Sequence, residues 1–211
     1  MPLKFPLPIV YPITSGESTP DHILQLVRAA VDAEIPLFQI REKSLSARVL
    51  FELVARAAEL TRSTRTRLLV NDRSDIARAA GADGVHLTTH SLPVEVVRRI
   101  YGPEFVIGVS THSLDEARAA RGGADFVVFG PVFETESKRV YGPPQGLSKL
   151  REVTRELGEF PVVAIGGVTI ENVSECFEAG ARGVAAIRLL SDAENLASIV
   201  ETIRRTGFTR F

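Results

Sequence analysis

The nine residues "AAGADGVHL" (79–87) run from a small, glycine-containing turn into a short apolar segment. The pattern returns as "RGGADFVVF" (121–129) and "EAGARGVAAI" (178–187), with a weaker copy in "AEIPLFQI" (33–40). Glycine is favoured just after a helix because it adopts left-handed backbone angles without a steric penalty. Repetition of this phrase predicts a fold in which one strand–helix unit is used several times.

Short β-rich segments alternate with amphipathic, helix-like segments along the whole chain. Most of the β-rich segments are continuously apolar, which is typical of strands buried on both faces of a parallel sheet. They lie near residues 8–14, 37–41, 67–71, 84–87, 105–110, 125–130, 161–167 and 183–187. Eight such units predict an α/β protein with a single (β/α)₈ TIM-barrel domain over residues 1–211. A doubly wound open sheet is the alternative, but the first strand lacks the G-x-G-x-x-G turn of its nucleotide-binding form.

The composition is that of a soluble globular protein. The chain has 211 residues, a formal net charge of -1, and 45% hydrophobic and 24% charged residues. A net charge so close to zero gives no electrostatic case for binding nucleic acid or a membrane surface. No apolar stretch is long enough to cross a bilayer. The single cysteine, Cys176, cannot form an internal disulfide, and we expect a buried, unreactive thiol in a cytoplasmic protein.

Polar residues follow nearly every predicted strand, at the barrel end where active sites are found. In "QIREK", Gln39, Arg41 and Lys43 occupy alternate positions, which point to the same side of an extended chain. An amide and two fixed positive charges suit a phosphate or a pyrophosphate. The alternative is that Arg41 and Lys43 form ion pairs with acids at the barrel rim, such as Glu42 or Asp72.

The motif "VNDR" places Asn71 and Asp72 at the end of the third strand. A carboxylate beside an amide oxygen could help to bind Mg²⁺ through a diphosphate. The stretch "HLTTHSLP" (86–93) supplies no second acid for such a site. The alternative is that Asp72 forms a salt bridge with Arg41 or Arg73.

Two later strand ends carry further candidates. In "AIGG", Gly166 and Gly167 precede a predicted helix start at Thr169, and their backbone N–H groups could form an anion cradle. The alternative is a glycine pair that serves only a tight turn. His112 follows the fifth strand, either as a general acid/base or as a helix-start histidine bonded to the backbone. His86 lies inside the fourth strand, where we expect a hydrogen-bonded core residue.

The longest predicted loop is "FGPVFETESKRVYGPPQG" (129–146), which follows the sixth strand. Its hydroxyls and its lysine predict phosphate contacts by Thr135, Ser137 and Lys138. Long loops of this kind often close over a ligand, so we expect a mobile lid.

Taken together, "QIREKS", "VNDRSDIARAAGADGVHL", "IGVSTHSLDEA", "DFVVFGPVFETESK" and "PVVAIGGVTIENV" resemble the thiamine phosphate synthase/TenI family. The resemblance covers nearly the whole chain, in the order found in the family. It implies a TIM barrel with one of two activities. The synthase joins a hydroxymethylpyrimidine diphosphate to a thiazole phosphate, releasing pyrophosphate with Mg²⁺. The TenI-type tautomerase makes the ring of a thiazole carboxylate phosphate aromatic by proton transfer, without a metal.

The resemblance also implies roles for residues at the strand ends. These are Gln39, Arg41 and Lys43 for pyrophosphate, Asn71 and Asp72 for the pyrimidine and Mg²⁺, Thr135, Ser137 and Lys138 for thiazole phosphate and pyrophosphate, Gly166 and Gly167 for thiazole phosphate, and His112 for acid/base work in the tautomerase.

Three positions depart from the synthase pattern. Ser91 stands where the synthase has a second Mg²⁺-binding aspartate, and a hydroxyl is a much weaker ligand for a hard cation. Arg188 replaces a serine near the phosphate after the eighth strand, where it could bind phosphate or fill the pocket. Ser15 replaces an acid after the first strand. The loop sequence "VFETESK" is also closer to the TenI pattern.

These departures favour a TenI-type thiazole tautomerase without a cofactor. The alternative is a thiamine phosphate synthase that uses Mg²⁺, and a third hypothesis is a non-catalytic binder of thiazole or thiamine phosphate. The expected partners are a small phosphorylated thiazole and, for the synthase, a pyrimidine diphosphate. We expect neither nucleic acid nor membrane as a partner, and a homodimer is possible for a barrel of this size.

Overall fold

The structure is a computed structural model that describes residues 5–135 and 143–208. Its eight strands are β1 Ile9–Pro12, β2 Leu37–Ile40, β3 Arg67–Asn71, β4 Gly84–Leu87, β5 Val106–Thr111, β6 Phe126–Phe129, β7 Val162–Ile165 and β8 Gly183–Ala186. Its helices are α1 Pro20–Asp32, α2 Ala47–Thr61, α3 Ser74–Ala79, α4 Val94–Tyr101, α5 Leu114–Ala120, α6 Gly146–Leu157, α7 Val173–Glu178 and α8 Leu196–Phe208. None of the helices in these ranges is long and apolar enough to span a membrane.

All eight strands are parallel, in the order β1-β8-β7-β6-β5-β4-β3-β2. The last gap, between β1 and β2, is bridged just beyond β1, where Ile13 pairs with Gln39. Beside that bridge, the backbone N–H of Thr14 donates to the Gln39 carbonyl at 3.1 Å. The Thr14 hydroxyl accepts from the backbone N–H of Arg41 at 2.8 Å. These contacts confirm the predicted TIM barrel, whereas its extent over residues 1–211 stays a prediction.

The aspartate of the repeated sequence motif has a structural role that the sequence alone did not show. Asp83, just before β4, accepts from the backbone N–H of Leu68 in β3 at 2.9 Å. Asp125, just before β6, accepts in the same way from Ile107 in β5 at 2.7 Å. Each aspartate thus ties the start of its own strand to the preceding strand. The glycine of the first phrase, Gly81, has the left-handed φ of 79° expected after a helix.

Alternate strand residues divide the core into two clusters. One side of each strand packs against the helices, and the other side fills the barrel interior. The interior cluster contains Ile9, Tyr11, Ile13, Leu37, Leu69, Val106, Phe126, Val128, Val163 and Ala185. The same alternation carries the inward-facing polar residues to the carboxyl end of the barrel, which is where the candidate site lies.

Candidate active site

A strained turn after β3 presents the first group of polar side chains. Asp72 has a φ of 60°, in the left-handed region that a non-glycine residue seldom adopts. Its backbone N–H donates to the His86 carbonyl at 2.9 Å, and its carbonyl accepts from Ser74 at 3.2 Å. Backbone strain held in place by its surroundings is frequent at functional sites.

Two amides and a carboxylate form a hydrogen-bonded row across the ends of β2 and β3. The Gln39 Nε2 donates to Asn71 Oδ1 at 3.1 Å, and the Asn71 Nδ2 donates to Asp72 Oδ2 at 3.0 Å. Gln39 is 1% exposed, and its Oε1 has no hydrogen-bond partner in the described structure. A buried acceptor without a donor is costly, so this atom is suited to an N–H group of a ligand.

The Asp72 carboxylate is surrounded by neutral donors. Its Oδ1 accepts from the Thr88 hydroxyl at 3.2 Å and from the Ser91 hydroxyl through a very short hydrogen bond. The described residues contain no group of three or more His, Cys, Asp or Glu side chains that could hold a metal. Mg²⁺ is commonly bound through one or two carboxylates together with substrate phosphates. Asp72 could therefore supply one carboxylate ligand to a Mg²⁺ whose other ligands come mainly from a diphosphate.

The positive charges of "QIREK" are only partly arranged as predicted. Strand β2 ends at Ile40, and Lys43 lies exposed in a turn, so the expected alternation reaches Gln39 and Arg41 but not Lys43. The chain leaves the strand because the Arg41 backbone N–H is taken by the Thr14 hydroxyl. Within residues 5–135 and 143–208, neither Arg41 nor Lys43 forms an ion pair, so the alternative of rim salt bridges is not observed.

The alternative salt bridge of Asp72 with Arg73 is also absent. Arg73 turns instead to Asp75, with N–O distances of 2.8 and 2.6 Å. This pairing raises the pKa of Arg73 and lowers the pKa of Asp75. Asp72 is thereby left facing hydroxyl and amide donors, with Lys43 and Glu42 lining the same cleft of about 190 Å³.

His112 lies between β5 and α5, close to a carboxylate. Its backbone N–H donates to Glu116 Oε2 at 2.6 Å, and its Nδ1 lies 3.3 Å from the same oxygen. The side chain is 37% exposed, so the imidazole is partly accessible to solvent. Ser113 caps α5 by accepting from the Glu116 backbone N–H at 3.2 Å. A carboxylate at Nδ1 favours the tautomer in which Nε2 is free to accept a proton.

The glycine turn after β7 packs against the loop after β6. The Phe133 backbone N–H donates to the Gly166 carbonyl at 2.9 Å. A Cβ on Gly167, whose φ is 67°, would lie 2.6 Å from the Glu134 carbonyl oxygen. Helix α7 begins at Val173 rather than near Thr169, because the Asn172 side chain bridges Thr169 and Gly167. The tight-turn interpretation therefore has direct support, and the anion cradle stays a prediction.

The remaining predicted phosphate contacts are Thr135, Ser137, Lys138 and Arg188. Thr135 is half-buried at the end of the first described range, while Ser137 and Lys138 lie outside the described residues. The base of this loop is fixed where the N–H of Gln145 donates to the Pro131 carbonyl at 2.7 Å. Arg188 is exposed in the loop between β8 and α8, so it does not fill the barrel interior.

Comparison with known proteins places this arrangement in a family. A family model described as thiamine monophosphate synthase matches residues 10–190. The chain belongs to the thiamine phosphate synthase/TenI family. A relative from Geobacter sulfurreducens is 46% identical over 166 residues, which are 78% of each chain. The thiamine-phosphate synthase of Roseiflexus castenholzii is 40% identical over 190 residues, which are 88% of this chain and 83% of the relative.

A solved structure agrees with these sequence relationships. The thiamine phosphate pyrophosphorylase from Pyrococcus furiosus matches this barrel with a TM-score of 0.81 at 33% identity, covering 96% of each chain. Family membership is thus supported by sequence and by fold. Family membership does not by itself show the roles of individual residues, because those depend on side-chain geometry.

The sequence did not reveal every member of this site. Thr88 was visible as a polar residue after β4, but only the structure brings its hydroxyl to Asp72. The sequence gave no indication of a role for Tyr11, because this residue lies in the middle of an apolar strand. Its hydroxyl lies 3.3 Å from the Nδ1 of His86, which is buried and hydrogen-bonded as predicted.

Proposed function

We propose that the chain is a thiamine phosphate synthase, the activity that the sequence favoured less than the tautomerase. The observation that carries the proposal is the row of Gln39, Asn71 and Asp72, with its orphaned acceptor. Beside it lie Arg41 and Lys43, which form no ion pair with any described residue. A pyrimidine diphosphate needs both features, because it offers N–H donors at one end and a multiple negative charge at the other. The names of the relatives support the same activity.

In this reaction the thiazole ring nitrogen forms a bond to the methylene carbon of the pyrimidine. The carbon–oxygen bond to the diphosphate breaks, and its electron pair leaves with pyrophosphate. Gln39 and Asn71 orient the pyrimidine, and Arg41 and Lys43 stabilise the charge that accumulates on the leaving oxygens. When bound, Mg²⁺ neutralises part of the diphosphate charge, and Asp72 is the carboxylate that would hold it.

The test measures pyrophosphate release from both substrates in the presence of Mg²⁺, comparing the wild type with Arg41→Met. We expect kcat/KM to fall roughly 10- to 100-fold, the loss typical of a charge-assisted hydrogen bond. Arg48→Met is the matched control, because that side chain is 88% exposed on α2 and forms an ion pair with Glu52. A wild-type protein that releases no pyrophosphate at high Mg²⁺ would overturn the proposal.

A second candidate, thiazole tautomerase, rests on a different observation. His112 has Glu116 at its Nδ1, and the family's second metal-binding acid is replaced by Ser91. A neutral imidazole with a free Nε2 can take a proton from the thiazole carboxylate phosphate and return it elsewhere on the ring. Gly166, Gly167 and Arg188 are the candidate phosphate contacts for this reaction, together with Lys138, which lies outside the described residues.

For this candidate, aromatisation of the thiazole is followed by absorbance without added metal. Loss of a general acid/base should lower the rate by roughly 10²- to 10⁴-fold in His112→Ala. Glu116→Gln keeps an acceptor at the His112 backbone while removing the charge, so it separates the proton-transfer role from helix capping. Absence of wild-type turnover in this assay rules out the second candidate, and binding without turnover in either assay would favour a non-catalytic binder.

A further inference from the structure

A chain of three side chains runs through the barrel interior beneath the candidate site. The Tyr11 hydroxyl lies 3.3 Å from His86 Nδ1, and His86 Nε2 lies 2.9 Å from the Ser110 hydroxyl. Tyr11 is fully buried and His86 is 2% exposed. Ser110 is half-buried near the carboxyl end of β5, on the inward-facing side of the strand. The chain therefore links the apolar centre of the barrel to a hydroxyl at its mouth.

The surrounding barrel makes room for this chain. A Cβ on Gly108, the β5 residue that pairs with His86, would lie 2.7 Å from His86 Nδ1 and 2.4 Å from the Phe126 ring. The Tyr11 ring packs edge-on against Phe126 at a centroid distance of 5.4 Å. Apolar side chains could fill the same space without desolvating any polar group. The polar chain persists only because its donors and acceptors are matched to one another.

The hydrogen bonds in this chain can run in only one direction. Among the described residues, the Tyr11 hydroxyl has one hydrogen-bond partner, His86 Nδ1, which therefore accepts the phenol proton. Because Nδ1 accepts the phenol proton, the imidazole proton is on Nε2, which donates to Ser110.

Reversing this direction would leave a buried group unsatisfied. If Ser110 donated to His86 Nε2, the imidazole proton would sit on Nδ1 and donate to the Tyr11 oxygen. The phenol proton would then have no acceptor among the described residues, because His86 Nδ1 is the partner of the Tyr11 hydroxyl there. An unsatisfied buried donor is unfavourable by more than a typical hydrogen bond contributes, so the first direction is selected.

We propose that Tyr11 and His86 form a relay of fixed direction that makes Ser110 a hydrogen-bond donor to a ligand at the barrel mouth. Because Ser110 accepts from His86 Nε2, its own hydroxyl proton is directed away from the imidazole and is free for an acceptor atom. Tyr11 and His86 are positioning residues in this arrangement, since neither touches the ligand. The choice of ligand rests on the proposed function, in which the diphosphate oxygens are the available acceptors.

The first experiment reads the imidazole directly. Long-range proton–nitrogen NMR correlation on the full-length protein reports which ring nitrogen of His86 carries the proton. The protein has 4 histidines, so the His86 signals are assigned by their loss in His86→Gln. We expect a single tautomer protonated at Nε2, and a mixture of tautomers in Tyr11→Phe, where the phenol donor is gone. A wild-type imidazole protonated at Nδ1 would overturn the relay.

The second experiment measures the effect on a ligand, using inorganic pyrophosphate with Mg²⁺ as the probe in calorimetric titration. Tyr11→Phe should weaken binding about fivefold, the effect of one misdirected hydrogen bond, but should have no further effect in Ser110→Ala. Equal losses in both backgrounds would contradict the relay. Tyr101→Phe is the control, because that ring stacks on Phe105 outside the barrel mouth and should leave binding unchanged.

The two experiments separate this inference from the proposed function. If the wild type binds no pyrophosphate, the synthase proposal fails, while the His86 tautomer still decides whether the relay exists. If pyrophosphate binds normally and the tautomer is wrong, the relay fails and the synthase proposal stands.

Discussion

At the scale of single residues, Asp72 is the carboxylate that would hold Mg²⁺ in the proposed synthase. Its carboxylate accepts hydrogen bonds from Asn71, Thr88 and Ser91, and all three donors are neutral. These donors orient the carboxylate but add no negative charge for a cation. In the proposed synthase, the substrate would therefore provide much of the charge that Mg²⁺ requires.

Replacing Ser91 by aspartate should therefore increase the affinity for Mg²⁺. A second carboxylate beside Asp72 adds charge attraction, and we expect the dissociation constant of Mg²⁺ to fall roughly tenfold, or about 1.4 kcal/mol. Calorimetric titration with Mg²⁺ alone measures this without any turnover. Ser91→Asn is the matched control, because asparagine has nearly the same shape as aspartate but carries no charge.

The metal-free protein provides a second readout of the same change. Two neighbouring carboxylates repel one another, so Ser91→Asp should unfold at a lower temperature than Ser91→Asn until Mg²⁺ is added. Equal Mg²⁺ affinities for the two variants would show that residue 91 does not face the metal position.

At the scale of elements, the alternation of buried strands with amphipathic helices was predictable because its signal is local. Continuous apolar runs and helical spacing depend on neighbouring residues alone, and so do caps such as Ser113. The ends of the elements were less predictable. Helix α7 begins at Val173 because Asn172 bonds to both Thr169 and Gly167, a choice that the helical pattern does not encode.

The "QIREK" segment shows the same limit. Its alternation predicted an extended chain through Lys43, yet β2 ends at Ile40. The decisive contact comes from Thr14, 27 residues earlier, whose hydroxyl takes the Arg41 backbone N–H. That contact exists only because the barrel closes between β1 and β2, so no local pattern could reveal it.

At the scale of the whole molecule, burial of the Cys176 thiol makes the stability of the folded protein depend on pH. The residue is 0% exposed in α7, and burial raises the pKa of its thiol to about 12 from an ordinary value of 9.0. The folded protein therefore holds this proton more tightly than the unfolded chain does. The corresponding stabilisation is fully present below pH 9 and is lost as the pH rises from 9 towards 12.

Alkaline unfolding should reveal this thiol. Between pH 8 and pH 10, the free energy of unfolding of the wild type should fall by about 1.4 kcal/mol more than that of Cys176→Ala. Urea denaturation at several pH values measures the difference, and the cavity left by the substitution cancels because only the pH dependence is compared. Identical pH dependence in the two proteins would mean that the thiol ionises freely in the folded state.

The sequence by itself determined the barrel and the family, and it predicted a site at the carboxyl ends of the strands. Burial on both strand faces, glycine turns and helix caps are short-range requirements, so they are written in consecutive residues. Only the tertiary structure decided which side chains meet. Gln39 reaches Asn71 through the β2–β3 register, and Tyr11 reaches His86 across 75 residues of chain. Such pairs depend on how the sheet closes on itself, because the barrel interior brings together residues whose separation in sequence carries no periodic signal.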